Sequence, residues 1–141
     1  MLDPSTIDQV VSLREEKNVD IASNSLERTF PRGLETSVFS FTALEKAYRE
    51  AKESWERVHV TQYIYNNPQV FTQANLKAQG KLRRPDLRIT VDTEEDYMLV
   101  NAIYYFLGEE SMQLEKVIDL LKEQPWLAYI NKNVEQKKAW E

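Results

Sequence analysis

No cysteine occurs in this sequence. Disulfides, thiol catalysis and cysteine-ligated metals are therefore excluded, and a reducing, cytoplasmic setting suits the chain. Glycine occurs only three times, and no Gly-rich phosphate loop or nucleophile elbow can be traced. A single histidine leaves no histidine pair for zinc. Basic residues form no long stripe. With a net charge of -5 and a pI near 5.1, nucleic acid is not expected as a partner. The longest apolar runs, such as Ile103 to Leu107, are far too short to span a bilayer, so no membrane partner is expected. The N-terminus shows no basic segment followed by an apolar one, so no secretory signal is expected either.

What is present suits one soluble domain over residues 1–141, with 42% hydrophobic residues to supply a core and 29% charged residues to solvate it. Asp3 and Pro4 open a helix in which Ile7, Val10 and Val11 share a face. Val19 to Ser23 reads as a short buried strand, and Leu26 to Phe30 as a further extended piece. Pro31-Arg32-Gly33 is a turn. Leu34 to Phe39 is strand-like. Thr42 to Glu45 matches a capping box for a helix reaching about Lys52. Ser54 is expected to cap the next helix, with Trp55, Val58, Tyr63 and Ile64 on its buried side, until Asn66-Asn67-Pro68 stops it.

Phe71 to Leu76 reads as extended and Gln79 to Asp86 as a loop. Leu87 to Val91 is strand-like and leads into a helix that ends near Gly108. A helical tail follows from about residue 111. In it, Ser111 starts a helix with Leu114, Val117, Ile118 and Leu121 on one face, and Pro125 starts a last helix reaching about Lys138. Strands alternating with helices imply an α/β fold with a mixed or mainly parallel sheet of three to five strands.

The strand-to-helix junction "RITVDTEEDYMLVNAIYYFL" places Asp92, Glu94, Glu95 and Asp96 close together. Thr93 with Asp96 forms a capping pattern, and Glu94 and Glu95 favour a helix N-terminus through its dipole. Asp92 is not needed by the cap. At the carboxyl end of a strand, where open α/β sheets bind ligands, it can hold Mg²⁺ or remain structural. His59 lies on an expected helix and is either structural or functional. Asn24, Arg28 and Arg32 surround the Pro-Gly turn and suit a carboxylate or sugar hydroxyls. The densest basic stretch holds Lys77, Lys81, Arg83, Arg84 and Arg88. It reads either as a solvated loop or as a guide for a phosphate or sugar acid.

Four stretches occur in the order found in one family: "LDPSTIDQVV", "SNSLERTFPRGLETSVFSFTALEKAY", "WERVHVTQYIYNNP" and "LRITVDTEEDYMLVNAIYYFL". Together they resemble the cytidylyltransferase family of spore coat polysaccharide biosynthesis protein F and CMP-KDO synthetase. The resemblance implies a partial nucleotide-diphospho-sugar transferase fold, a Rossmann-like sandwich with a mixed sheet and a helical C-terminal tail. It implies chemistry in which a hydroxyl of an acidic sugar attacks the α-phosphate of CTP, with Mg²⁺ offsetting phosphate charge. Asp92 corresponds to a metal-binding aspartate. His59 and Arg28 fall in the sugar-side half, with Asn24 and Arg32 beside them as substrate-binding candidates.

Departures from the family pattern are also clear. The Gly- and basic-residue loop of the CTP-binding half has no counterpart, nor does the earlier metal aspartate. The usual GLDVEVFS reads "GLETSVFS", a glutamate is replaced by Val58, and the proline after the DT pair by Glu94. The expectation is therefore a C-terminal, sugar-side portion that keeps half of a Mg²⁺ site, is inactive alone and forms a homodimer. Trp55, Tyr63, Tyr65, Trp126, Tyr129 and Trp140 would cover the exposed surface. The alternative is a non-catalytic dimerising interaction module derived from the same fold.

Overall fold

The computed structural model describes residues 3–59, 61–108 and 113–136. Helix α1 (Pro4–Lys17) begins where the Asp3 carboxylate accepts from the Ser5 amide at 3.1 Å, and it ends at Asn18 in the left-handed region with φ 47°. The chain then enters β1 (Ile21–Ser23), the centre of a three-stranded sheet ordered β2-β1-β3. Strand β2 (Ser37–Phe39) pairs antiparallel with β1, Ala22 facing Val38. Strand β3 (Gln73–Asn75) pairs parallel with it, Ala22 facing Ala74. All of β1 is buried, as a central strand covered on both faces requires.

Helices α2 (Phe41–Glu50), α3 (Ser54–Val58) and α4 (Gln62–Asn66) lie between β2 and β3 in the chain. Ala43, Ala47, Ile64 and Phe71 gather with Ile21 into a small apolar cluster. A larger cluster is built from α5 (Glu94–Leu107), α6 (Leu114–Glu123) and a 3-10 segment, Pro125–Tyr129, with Phe30, Leu34, Leu87 and Ile89 inserted from the loops. The mixed α/β architecture, the short sheet and the helical C-terminal region match the sequence-based fold class.

Several local expectations are corrected. Leu26 to Phe30 is a turn, not a strand. Side chains satisfy its backbone surroundings: the Asn75 amide oxygen accepts from the Glu27 N–H at 3.1 Å, and the Thr29 hydroxyl accepts from the Ala78 N–H at 2.8 Å. Leu87 to Val91 forms only one bridge, parallel, between Arg32 and Arg88. Two backbone bonds make it, Arg32 N–H to Leu87 O at 2.8 Å and Ile89 N–H to Arg32 O at 2.7 Å. The turn at Gly33 then leads the chain away, which ends the ladder.

The helix expected from Ser54 to Asn66 breaks at His59, where β-branched Val58 and Thr61 flank the break and weaken helical continuity. Val58 is 73% exposed and Trp55 and Tyr63 half-buried, leaving Ile64 as the buried position. Ser40, not Thr42, caps α2, its hydroxyl accepting from the Ala43 N–H at 3.1 Å. Ser54 is the first residue of α3. Its cap is Glu53, whose N–H donates to the Glu56 carboxylate at 3.2 Å. In the tail, Leu114, Val117, Ile118 and Leu121 are buried as expected. The helix expected from Pro125 is instead the 3-10 segment ending at Tyr129. Ser111, Lys138 and Trp140 lie outside the described residues.

Candidate functional site

The junction between Leu87 and α5 is organised by Arg88. Its guanidinium grips the Asp96 carboxylate with two parallel bonds, Nε to Oδ1 at 2.9 Å and Nη2 to Oδ2 at 2.7 Å. The same Nη2 donates to Asp92 Oδ2 at 3.0 Å. Asp96 is fully buried and has every acceptor direction engaged: Asn131 Nδ2 donates to Oδ1 at 2.8 Å and the Asp92 N–H to Oδ2 at 3.1 Å. Asn131 also donates to the Arg88 carbonyl at 3.0 Å, so the C-terminal region clamps both members of the pair.

Burial alone pushes the Asp96 carboxyl up. The Arg88 guanidinium, the Asn131 amide and the Asp92 N–H outweigh it and hold Asp96 below the ordinary carboxylate value. The bonds to Asp96 in turn raise Arg88, against the effect of its burial.

Asp92 has a different environment. Its side chain is 58% exposed, and only Oδ2 has a partner among the described residues. Thr93 caps α5 as expected, its hydroxyl accepting from the Asp96 N–H at 3.3 Å. Capping thus engages the Asp96 backbone, while its side chain is the buried hub of an ion-pair network. The sequence carried a signal for this in oppositely charged residues spaced four and eight apart, Arg88 with Asp92 and Asp96. No local pattern pointed to Asn131.

The other sequence candidates occupy separate environments. Asn24 is buried and spent on backbone, donating to the Leu34 carbonyl at 2.9 Å and accepting from the Thr36 N–H at 2.8 Å. Arg28 pairs with Glu35 at 2.7 Å, and Glu35 also accepts from the Gly33 N–H at 2.8 Å. Both residues therefore shape the turn that carries Arg32. His59 is exposed at the break between α3 and α4. Arg32 and Arg88 are brought together by the backbone bridge. Both line a cleft of about 470 Å³ against the C-terminal region, whose lining includes neither Asp92 nor His59. Among the described residues no group of three or more His, Asp or Glu is arranged to hold a metal ion.

This arrangement, a short mixed sheet backed by helices, shares its fold with a solved cytidylyltransferase. The solved cytidylyltransferase of Leptospira borgpetersenii serovar Hardjo-bovis superposes with a TM-score of 0.83 over 97% of this chain and 56% of that one, at 22% identity. In sequence, 37% identity over 84 residues, 59% of this chain, links it to the spore coat polysaccharide biosynthesis protein SpsF of Bacillus subtilis, of which it covers 32%. An uncharacterised protein of Methanocaldococcus jannaschii is 37% identical over 131 residues, 93% of this chain and 53% of that protein. The chain thus shares its fold with a solved cytidylyltransferase and part of its sequence with SpsF, and it spans about half the length of the archaeal protein it matches. No protein-family model matches it.

Proposed function

We propose that the chain is the C-terminal, sugar-side portion of a cytidylyltransferase that activates an acidic sugar of a surface polysaccharide as its CMP derivative. The observation that carries this is the superposition of nearly the whole chain on little more than half of a solved cytidylyltransferase. The sequence relationship to a spore coat polysaccharide biosynthesis protein supports the polysaccharide setting. In the complete enzyme a sugar hydroxyl would attack the α-phosphate of CTP and pyrophosphate would leave. The present chain would supply the sugar side in the cytoplasm and would be inactive alone.

Asp92 fits the role of one Mg²⁺ ligand. It is solvent-exposed, and its Oδ1 has no partner among the described residues. Mg²⁺ takes one or two protein carboxylates and draws its remaining ligands from substrate phosphates and water. When bound, the ion would offset charge on the phosphates. Asp96 does not fit that role, because Arg88, Asn131 and the Asp92 N–H use both its oxygens. Arg88 therefore stations Asp92 from one side while leaving its other oxygen outward. His59, exposed and without a side-chain partner among the described residues, is assigned to substrate contact. The proposed assembly is a homodimer, supported by exposed Trp126 and Tyr129.

The test is release of pyrophosphate from CTP in the presence of an octulosonate or nonulosonate. The 141-residue chain should release none, and the chain joined to a CTP-binding half should release it. Asp92→Asn in the joined protein should abolish turnover with little change in melting temperature. Turnover by the chain alone, or full turnover by the Asp92→Asn protein, would refute the respective assignment.

A further inference from the structure

The cleft shared by Arg32 and Arg88 has an unbalanced charge. Leu99, Leu121 and Ala128 give it an apolar portion, and four cationic side chains, Arg32, Arg84, Arg88 and Lys132, line it together with one carboxylate, that of Asp86. Two of the four are neutralised. Arg84 holds Asp86 with Nε to Oδ1 at 2.9 Å and Nη2 to Oδ2 at 2.7 Å, and Arg88 is bound to Asp92 and Asp96. Among the described residues, Arg32 and Lys132 have no carboxylate within ion-pair distance. The Lys132 ammonium rests 4.7 Å from the centroid of the Tyr129 ring.

Arg32 uses its backbone in the bridge to Leu87 and Ile89, but its half-buried guanidinium makes no hydrogen bond among the described residues. A guanidinium carries five donors in a rigid fork and rarely leaves all of them idle when partly buried. Burial, followed by the nearby Arg28 and Arg88, lowers its proton affinity despite Glu35 and Asp92. The position therefore lacks negative charge, and an anion would relieve it.

We propose that this cleft binds a small phosphate monoester, with Arg32 and Lys132 gripping the phosphate and the apolar portion receiving the attached organic group. Two unpaired cations match a dianion better than a single carboxylate. The volume is several times that of a bare phosphate, which leaves room for a substituent. The inference stands apart from the cytidylyl-transfer proposal, because Asp92 does not line the cleft and the test uses this chain alone.

The chain is titrated calorimetrically with inorganic phosphate and with ribose 5-phosphate, potassium chloride keeping the ionic strength constant. Saturable binding at one site is expected for both, tighter for the monoester. Arg32→Gln should weaken each roughly tenfold, as loss of a charge-assisted bond implies. Lys132→Gln should weaken each by a smaller factor. Both variants should stay close to the parent melting temperature, since neither side chain holds an ion pair and the exposed Lys132–Tyr129 contact is weak. Absence of saturable binding, or affinities unchanged in both variants, would overturn the site. A monoester bound no more tightly than phosphate would overturn the role given to the apolar portion.

Discussion

Asp92 and Asp96 are both aspartates bonded to Arg88, yet they have opposite burdens. Asp96 is fully buried and Arg88 is 11% exposed, so removing the Asp96 charge leaves Arg88 with only the exposed carboxylate of Asp92. Asp96→Asn should cost about 3 kcal/mol in urea unfolding, while the exposed contact of Asp92 makes Asp92→Asn cost less than about 1 kcal/mol. The pH dependence has the same origin. Asp96 is held below its unfolded value, so its contribution is complete above about pH 4 and is lost as the pH falls through the folded value. Melting temperature followed from neutral pH into acid should fall in the parent below about pH 4, and the part due to Asp96 should be missing in Asp96→Asn. Gly33 is the other sensitive residue. With φ +97°, a Cβ there would meet the Ile89 carbonyl oxygen at 2.2 Å. Gly33→Ala should therefore destabilise by about 2 kcal/mol or more in the same unfolding measurement.

At the scale of elements, the cap of α2 lies two residues before the Thr42 that the sequence pattern predicts. Ser40 makes the capping bond, whereas Thr42 lies inside the first turn. Ser40→Ala should cost about 1 kcal/mol and Thr42→Ala appreciably less, as read by chemical denaturation. Much of the fold was legible because its cues were local. Asp3-Pro4, Thr93 and Gly108 mark helix ends through their own chemistry, and the spacing of Leu114, Val117, Ile118 and Leu121 marks a buried face. The misreadings at Leu26 to Phe30 and Leu87 to Val91 have a common cause. Both stretches have strand-like composition, but whether a ladder forms depends on partners far away in the chain. In the first, Asn75 and Thr29 side chains take the bonding roles; in the second, Gly33 turns aside after one bridge. At the candidate site the local cues reached only part of the arrangement. Asp92 stood out at an expected strand end that proves to be a single bridge, while the hub at Asp96 depends on Asn131, which only the folded chain brings near.

For the whole molecule, the apolar residues fall into two clusters, one beside the sheet and one among the C-terminal helices. Several aromatic side chains of the C-terminal half remain outside both. Tyr105 is 85% exposed, and Phe106 meets Trp126 edge-on with ring centroids 6.5 Å apart. If the proposed homodimer forms, light scattering at micromolar concentration should give twice the chain mass, and Trp126→Ala should shift the population toward monomer. A parent protein with the mass of one chain would remove the dimer.

The bridge between Arg32 and Arg88 has a consequence for how the chain assembles. It closes a loop that contains the whole of β2, β3 and helices α2 to α4. The β1–β3 ladder and the Arg84 N–H to Thr29 O bond at 3.1 Å close nearly the same loop, and the bridge adds two backbone bonds and the close seat of Gly33 on Ile89 at its far end. Arg88 and Asp96 lie near enough in the chain to meet early, whereas Arg32 reaches their side only once this long loop has shut. The cationic cleft therefore depends on the closed loop, and a substitution that loosens the turn should displace Arg32 from the cleft.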